Sequence, residues 1–320
     1  ADNLVTAEIS GVGQQPPSEI LVSEDTSLKG WGNEPTTSHG DQWVLTMGNE
    51  RCKDNPNTSG AFAEQELKAT SNVDSKITLL KFSIPESLKN NKDSIKSAKL
   101  SLALAGFRSS GGMFGAQGDT DKLRVANVSP LEWTEATATR NSVRDWFYQQ
   151  NNNAIPEFTP YKESAEYMLE NGVNDIGPYT NGTKNTAVSG EIVETDITDL
   201  LADALTENTS EITLAVNESS KREHYFVSKE GVENLDNATE NMMPKIVLTY
   251  NVARGKTVTA SSTFTDPGLA VDGNDSAHTG SNSNDAWQSA ELIDGNGAEL
   301  SGVEQQWLTI DLEANKTIFT

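Results

Sequence analysis

Six cationic or aromatic residues near the start of the chain have the side-chain chemistry that binds sugar polymers: Lys29, Trp31, His39, Trp43, Arg51 and Lys53. Arginine and lysine bind the carboxylates of acidic sugars, arginine through a bidentate fork, and an aromatic face can pack against the C–H face of a sugar ring. Acidic residues are interleaved with these cations, among them Glu24, Asp25 and Glu50, and their field would repel an acidic ligand. The segment therefore indicates either a carbohydrate-binding surface or an ordinary solvated surface with one buried tryptophan.

Two further cations, Arg108 and Arg124, flank the glycine-rich stretch "SSGGMFGAQGDTD". They are secondary candidates for contact with sugar. Trp133, in "LEWTE", is instead predicted to lie in the core.

Catalytic residue types do not form a recognisable motif in this sequence. The three histidines are scattered, and no HExxH, GxSxG or glycine-rich phosphate-binding loop occurs. Carboxylates could supply a glycosidase pair, but among 47 acidic residues such pairs arise by chance. We predict that this chain is not an enzyme, although a parent protein could carry a polysaccharide lyase or glycoside hydrolase domain elsewhere.

The charge balance excludes several classes of partner. The 320 residues include 24 Lys and Arg against 47 Asp and Glu, a net charge of −23. Nucleic acids and anionic membrane surfaces are bound mainly by clustered cations, so neither is an expected partner. A single cysteine rules out an intrachain disulfide framework and a zinc site built from several cysteines. This composition suits a secreted or cell-surface protein in a salty medium.

Hydrophobic alternation with a period of two predicts an all-β protein. It marks strands at 76–85, 98–107, 121–129, 211–219, 223–230 and 245–251. Several short strands joined by polar loops are typical of a β-sandwich or barrel. A helix is predicted over 196–208 with Thr198 as its N-cap, and a second over 162–172. The second lies in an Asn- and Gly-rich excursion from about 141 to 189, which we interpret as an insertion at one end of the sandwich.

Four blocks in residues 20–250 resemble a known family. They are "SEDTSLKG" with "HGDQWVLTMGN", "SKITLLKFSIPESL" with "IKSAKLSLAL", "LRVANVSPLEWTEATAT", and "VETDITDLL" with "EHYFVSKEG" and "MPKIVLTYN". In this order they are similar to the DNRLRE-type (disaggregatase-related) domain, also classed as carbohydrate-binding module family 96. The resemblance implies a jelly-roll-like β-sandwich that accompanies alginate lyases and other enzymes acting on algal or host polysaccharides. Residues 1–19, with "GVGQQPPSE", are predicted to be a linker or tail, because Gly, Gln and Pro-Pro neither pack nor pair well.

Residues 251–320 resemble a different family. The pattern "NVARGKTVTASSTF…AVDGN…AWQS…QWLTIDL" is similar to the first half of a discoidin-like (coagulation-factor C type) domain, a group that includes family-32 carbohydrate-binding modules. The resemblance implies a truncated discoidin-like β-sandwich and a longer, multimodular parent protein with further covalently linked domains. Its tryptophans, Trp287 and Trp307, are expected to pack in the core rather than stack on sugar.

A calcium site is implied by the same resemblance. Carried over residue by residue, the ligands of a structural Ca²⁺ would be the side chains of Asp272, Asn274 and Thr279 and the carbonyl of Ala270. An all-oxygen ligand set suits this hard cation. The alternative is an Asx-rich turn without a metal.

Three functional hypotheses follow. The leading one is a non-catalytic, extracellular carbohydrate-binding region that tethers a polysaccharide-degrading enzyme to its polymer through effective concentration. The alternative is a structural or adhesive module of a bacterial cell-surface protein, and the third is an enzyme in its own right. The identity of the polysaccharide is left open. The enzymes that accompany the resembled family suggest alginate, whereas the net charge favours a neutral or sulfate-poor glycan.

Overall fold

The structure, a computed structural model, describes residues 16–29, 36–49, 75–108, 120–156, 158, 160–168, 188–218, 223–251, 257–260 and 308–311. Strands dominate these ranges. In chain order they are β1 (Glu19–Leu21), β2 (Glu24–Lys29), β3 (Val44–Asn49), β4 (Ser75–Ser83), β5 (Ile95–Arg108), β6 (Thr120–Asp121), β7 (Leu123–Asn127), β8 (Lys162–Glu163), β9 (Tyr167–Met168), β10 (Ile192–Asp196), β11 (Glu211–Glu218), β12 (Glu223–Val227), β13 (Lys245–Tyr250), β14 (Thr257–Ala260) and β15 (Leu308–Asp311).

Helices are few and short within the described ranges. The α-helices are α1 (Glu86–Lys89), α2 (Arg140–Gln150), α3 (Thr198–Thr206) and α4 (Gly231–Asn234), and 3₁₀ turns span Lys92–Ser94 and Glu240–Met242. None of the described helices is long and apolar enough to cross a bilayer.

The main sheet is antiparallel and curls on itself. Its strand order is β1-β13-β5-β12-β3-β4-β11-β7-β8, with β10 paired to β5 and β2 paired to β4 beside this path. Strand β5 is long enough to pair with β10 through Lys99–Ala103 and with β12 through Leu104–Arg108. The curl brings β10 within 8 Å (Cα–Cα) of β8, the last strand of the order. The prediction of an all-β, sandwich-like fold is thus confirmed.

The alternation along β4 shows how the sheet separates two apolar layers. Thr78, Leu80 and Phe82 are fully buried on one face, and Ile77 and Leu79 are buried on the other. This second face is covered by α2 and the segment before it, in a cluster that includes Trp133, Val143 and Phe147. Side chains alternate between the faces of a strand, so a strand buried on both faces reads as a nearly continuous apolar run. The placement of Trp133 in the core, with 8% of its surface exposed, agrees with its prediction.

Helix α2 falls inside the excursion that sequence analysis interpreted as an insertion. Thr139 and Ser142 form a capping box at its start: the Thr139 hydroxyl accepts from Ser142 N–H (3.0 Å), and Thr139 N–H donates to the Ser142 hydroxyl (2.9 Å). The helix ends before Asn152 and Asn153, whose φ values of 53° and 62° are left-handed. Asparagine adopts that conformation more readily than most residues. This helix was not predicted.

Two local helix predictions were wrong. Residues 162–163 and 167–168 are strands rather than part of a helix, because cross-strand pairs such as Arg124 with Glu163 override their helix propensity. Thr198 is the first residue of α3 rather than its N-cap, and Ile197 at the cap position makes no side-chain capping bond.

The chain divides into two compact units, residues 17–90 with 97–248 and residues 1–16 with 91–96 and 249–320. In the second unit, β14 and β15 pair antiparallel from Thr257 opposite Asp311 to Ala260 opposite Leu308. The N–H of Asn251 donates to the carbonyl of Ser94 at 2.7 Å. Every site described below lies in the first unit.

Candidate functional site

An open cleft of about 550 Å³ lies on the first unit where the outer face of β5 and β10 meets the segment 163–165. It is lined by Lys99, Glu163, Ala165, Ile192, Glu194 and Asp196 and is called the Glu163 cleft here. Ligand pockets span roughly 300–1,000 Å³, so this cleft is large enough for a small part of a polymer.

Two strands supply one wall of the Glu163 cleft. Strand β10 exposes every second residue, so Ile192, Glu194 and Asp196 share its outer face. Asp196 lies directly opposite Lys99 on β5, and Lys99 Nζ reaches diagonally to Glu194 Oε2 at 2.8 Å. Ile192, with 46% of its surface exposed, adds an apolar patch beside these charges.

The opposite wall is held in place by β7. Glu163 lies opposite Arg124 in the β7–β8 register and accepts from Arg124 Nε at 3.0 Å. The Arg124 guanidinium also lies 5.4 Å from the centre of the Tyr161 ring, a cation–π distance. Ser164 fixes the segment, because its hydroxyl accepts from Leu123 N–H at 2.9 Å.

Two charged groups of the cleft, Lys99 and Asp196, are held in their ionised forms. The hydrogen bond and the charge of Glu194 raise the pKa of Lys99. The pKa of Asp196 is lowered, because the hydroxyl and N–H of Thr198 both donate to its Oδ1, at 2.7 and 2.9 Å. A carboxyl with a lowered pKa is a poor general acid at neutral pH. The cleft is therefore suited to hydrogen bonding rather than to proton transfer by Asp196.

The structure brings together part of the cluster predicted near the start of the chain. Lys29 Nζ donates to Gln42 Oε1 at 2.8 Å, and Gln42 Nε2 lies 3.0 Å from His39 Nδ1. His39 is buried, with 6% exposed, and the half-buried Trp43 packs against the apolar cluster of Val44 and its neighbours. These side chains are engaged within the protein rather than arrayed on an open face.

The remaining predicted sugar contacts divide into three cases. Trp31, Arg51 and Lys53 lie outside the described residues. Arg108 ends β5 opposite Glu223, and only its backbone is described. Among the predicted contacts whose side chains the structure describes, Arg124 adjoins the Glu163 cleft.

The predicted calcium ligands, Ala270, Asp272, Asn274 and Thr279, lie outside the described residues, as do Trp287 and Trp307. The calcium site therefore stays a prediction.

A second group of charges lies at the start of β2 and is called the Asp25 cluster here; Asp25 is buried, and Glu135 and Glu230 are partly buried. Asp25, Glu135 and Glu230 each place one carboxylate oxygen so that the three lie within 4.8 Å of one another. Lys229 Nζ contacts Glu135 Oε2 at 2.5 Å and Glu230 Oε1 at 3.3 Å. The backbone N–H of Lys229 donates to Asp25 Oδ2 at 2.8 Å.

Burial changes the protonation of the Asp25 cluster. It raises the pKa of Asp25, which is 1% exposed, to about 8. Burial and a hydrogen bond with Glu135 raise the pKa of Glu230 to about 7. Burial by itself lowers the pKa of Lys229, but the neighbouring carboxylates outweigh it and the net direction is upward. The cluster therefore combines protonated carboxyls with one ammonium.

The geometry of the Asp25 cluster opposes glycosidase chemistry. A retaining glycosidase separates its two carboxyl groups by about 5 Å and an inverting one by more, so that sugar or water fits between them. Here the Lys229 ammonium contacts both Glu135 and Glu230. The arrangement joins β2, the loop after Trp133 and the end of β12.

Glycines bring the loop 36–43 close to this cluster. A Cβ at Gly40 would lie within 2.4 Å of atoms of Glu135, and one at Gly231 would lie 2.0 Å from the carbonyl oxygen of Trp43. Ser38 Oγ donates to the Glu135 carbonyl at 2.8 Å. Only residues without a side chain fit at these two positions.

Sequence reasoning missed both sites apart from Arg124. It treated Asp25 as part of the repulsive background and the other carboxylates as chance neighbours. One local signal was available: a strand with a period of two over "IVETD" (192–196) would place Glu194 and Asp196 on the same face. The contacts of that face with Lys99 and with segment 163–165 are formed only in the tertiary structure.

In comparisons with known proteins, no family model and no curated protein matches this chain. The two family resemblances therefore stay predictions.

Proposed function

We propose that this chain is a non-catalytic carbohydrate-binding region of an extracellular polysaccharide-degrading enzyme. Its role is to hold the catalytic domain of the parent protein on the polymer, because a tethered module raises the effective concentration of substrate. The sequence resemblances to two carbohydrate-binding families motivate the proposal. A structural calcium ion in residues 251–320 is part of the same proposal.

The observation that carries the proposal is the Glu163 cleft. A β-sandwich module binds a polysaccharide through an open, polar surface that a chain can cross without its ends being enclosed. The cleft is open and lies on the outer face of two strands. Its lining combines hydrogen-bond donors, acceptors and one exposed aliphatic side chain, which are the contacts that a sugar ring needs.

Affinity gel electrophoresis of the full chain tests the proposal, with the polysaccharides alginate, agarose, ulvan, pectin, xylan and chondroitin in the gel. The variant K99A/E194A removes the ion pair of the cleft wall. The matched control K245A/E19A removes an ion pair of similar length, 2.9 Å, between β13 and β1. We expect retardation by at least one polymer that K99A/E194A weakens and K245A/E19A retains.

Other outcomes discriminate between the functional hypotheses. Retardation that survives K99A/E194A but is lost in W31A/R51A would keep the function and move the site to the start of the chain. If no polymer retards the chain, the structural or adhesive module becomes the better explanation.

A further inference from the structure

The cations of the Glu163 cleft and its rim are all engaged by carboxylates. The rim cations, Lys122, Arg124 and Lys162, are next to Glu163 in space or in sequence. The pairs are Lys99 with Glu194 (2.8 Å), Arg124 with Glu163 (3.0 Å), Lys122 with Glu163 (3.6 Å) and Lys162 with Asp199 (2.5 Å).

This pairing leaves no surplus of positive charge. The lining itself holds one ammonium, Lys99, against the three carboxylates Glu163, Glu194 and Asp196. When the rim cations and Asp199 are included, there are four positively charged and four negatively charged side chains. A uronate or sulfate group that accepts a hydrogen bond from one of these cations would lie beside the carboxylate already paired with it. Like charges at such distances oppose binding.

Sugar hydroxyls meet a different situation. An ammonium has three N–H donors and an ionised carboxylate accepts at several lone-pair positions, so an ion pair keeps free donor and acceptor capacity. A hydroxyl donates to a carboxylate and accepts from an ammonium, and can do so without breaking the pair. Lys99 and Glu194 are about half exposed, with side-chain exposures of 47% and 40%, so both remain reachable.

The apolar side chain at the cleft agrees with an uncharged ring. Ile192 is one of two large hydrophobic residues that are strongly exposed among the described residues. It lies on the same strand face as Glu194. An aliphatic surface beside paired charges matches the C–H groups and hydroxyls that alternate around a neutral pyranose ring.

We propose that the Glu163 cleft binds a neutral, hydroxyl-rich polysaccharide and discriminates against polymers that carry carboxylate or sulfate groups. This inference rests on the proposed function and names its substrate class.

Backbone-matched polymer pairs test the inference, again with the full chain in affinity gels. Hydroxyethylcellulose is compared with carboxymethylcellulose, methyl-esterified with de-esterified homogalacturonan, and agarose with its sulfated relative carrageenan. We expect retardation by the neutral member of at least one pair and weaker retardation by its acidic member. In K99A/E194A the affinity for that neutral polymer should fall about tenfold, as for the loss of one or two hydrogen bonds. The control K245A/E19A should be unchanged, with the same circular dichroism spectrum for all three proteins.

Three results would overturn the inference. Retardation by acidic members alone would remove the substrate class and leave the proposed function standing. Neutral binding that K99A/E194A does not weaken would remove the cleft as the site. An absence of retardation by any polymer would overturn the inference and the proposed function together.

Discussion

The Glu163 cleft and the Asp25 cluster are built from the same residue types, lysine and carboxylates, yet they differ in what those groups do. In the cleft Lys99 and Glu194 are about half exposed and pair with each other, and Asp196 has a lowered pKa. In the cluster three carboxyl groups lie within 4.8 Å of one another, the Lys229 ammonium contacts two of them, and burial raises the pKa of Asp25 to about 8.

The difference shows that exposure, rather than composition, decides the role of an ion pair. Exposed pairs contribute little to stability and remain available to a ligand. A buried group of charges is costly unless each member has partners, and removing one partner leaves the rest uncompensated. We therefore expect the cluster to matter for stability and the cleft for binding.

Loss of the ammonium in each region should give the largest contrast. Lys229→Met removes the cation that contacts Glu135 and Glu230, and we expect the free energy of unfolding to fall by about 3 kcal/mol. Lys99→Met, the matched change in the cleft, should cost less than about 1 kcal/mol. Urea denaturation of both variants at neutral pH measures the difference, and equal losses would contradict the assignment of roles.

Two cation–π contacts among the described residues offer a smaller contrast. Lys81 is buried with its Nζ 4.8 Å from the centre of the Trp133 ring and 3.1 Å from Glu24 Oε1. Lys81→Met leaves Glu24 without this partner, so we expect a loss of about 1–3 kcal/mol. Arg124→Met removes the contact with the Tyr161 ring and should lower the free energy of unfolding by about 0.5–1 kcal/mol. The order of the two losses in urea titrations is the test, and the reverse order would contradict it.

The pH dependence of stability should differ between the two regions. The unfolded chain loses the Asp25 proton near pH 4, but the folded chain loses it only near pH 8. The contribution of Asp25 to the free energy of unfolding is therefore fully present below about pH 4. It declines as the pH rises to about 8, by at most about 1.4 kcal/mol per pH unit. Asp25→Asn removes this proton and should flatten the fall of the melting temperature over that range. Glu230, whose pKa is about 7, should leave a smaller slope of the same sign.

Asp196→Asn is the control for this experiment. A carboxyl with a lowered pKa stabilises the fold above its unfolded pKa and loses that contribution as the pH falls. The variant should therefore be slightly less stable than the wild type at neutral pH, with a parallel profile there, and the two should converge as the pH falls on the acid side. Parallel melting profiles for Asp25→Asn and the wild type from about pH 5 to about 8 would show that Asp25 does not control the slope.

Much of the fold could be read from local pattern. Strands were predicted at 76–85, 211–219 and 245–251 and are observed at 75–83, 211–218 and 245–250. The predictions that failed, over 162–172 and at Thr198, concern segments whose state depends on distant partners. Glu163 becomes a strand residue because Arg124 lies opposite it.

The sequence by itself determined the strands, the all-β class and the burial of Trp133, because alternation and apolar character act over a few neighbouring residues. Only the tertiary structure decided which charges meet. Lys229 and Asp25 are 204 positions apart, and Lys99 and Glu194 are 95 apart. The free energy of a charge depends on its burial and its partners in space, and neither is encoded in the local period of the chain.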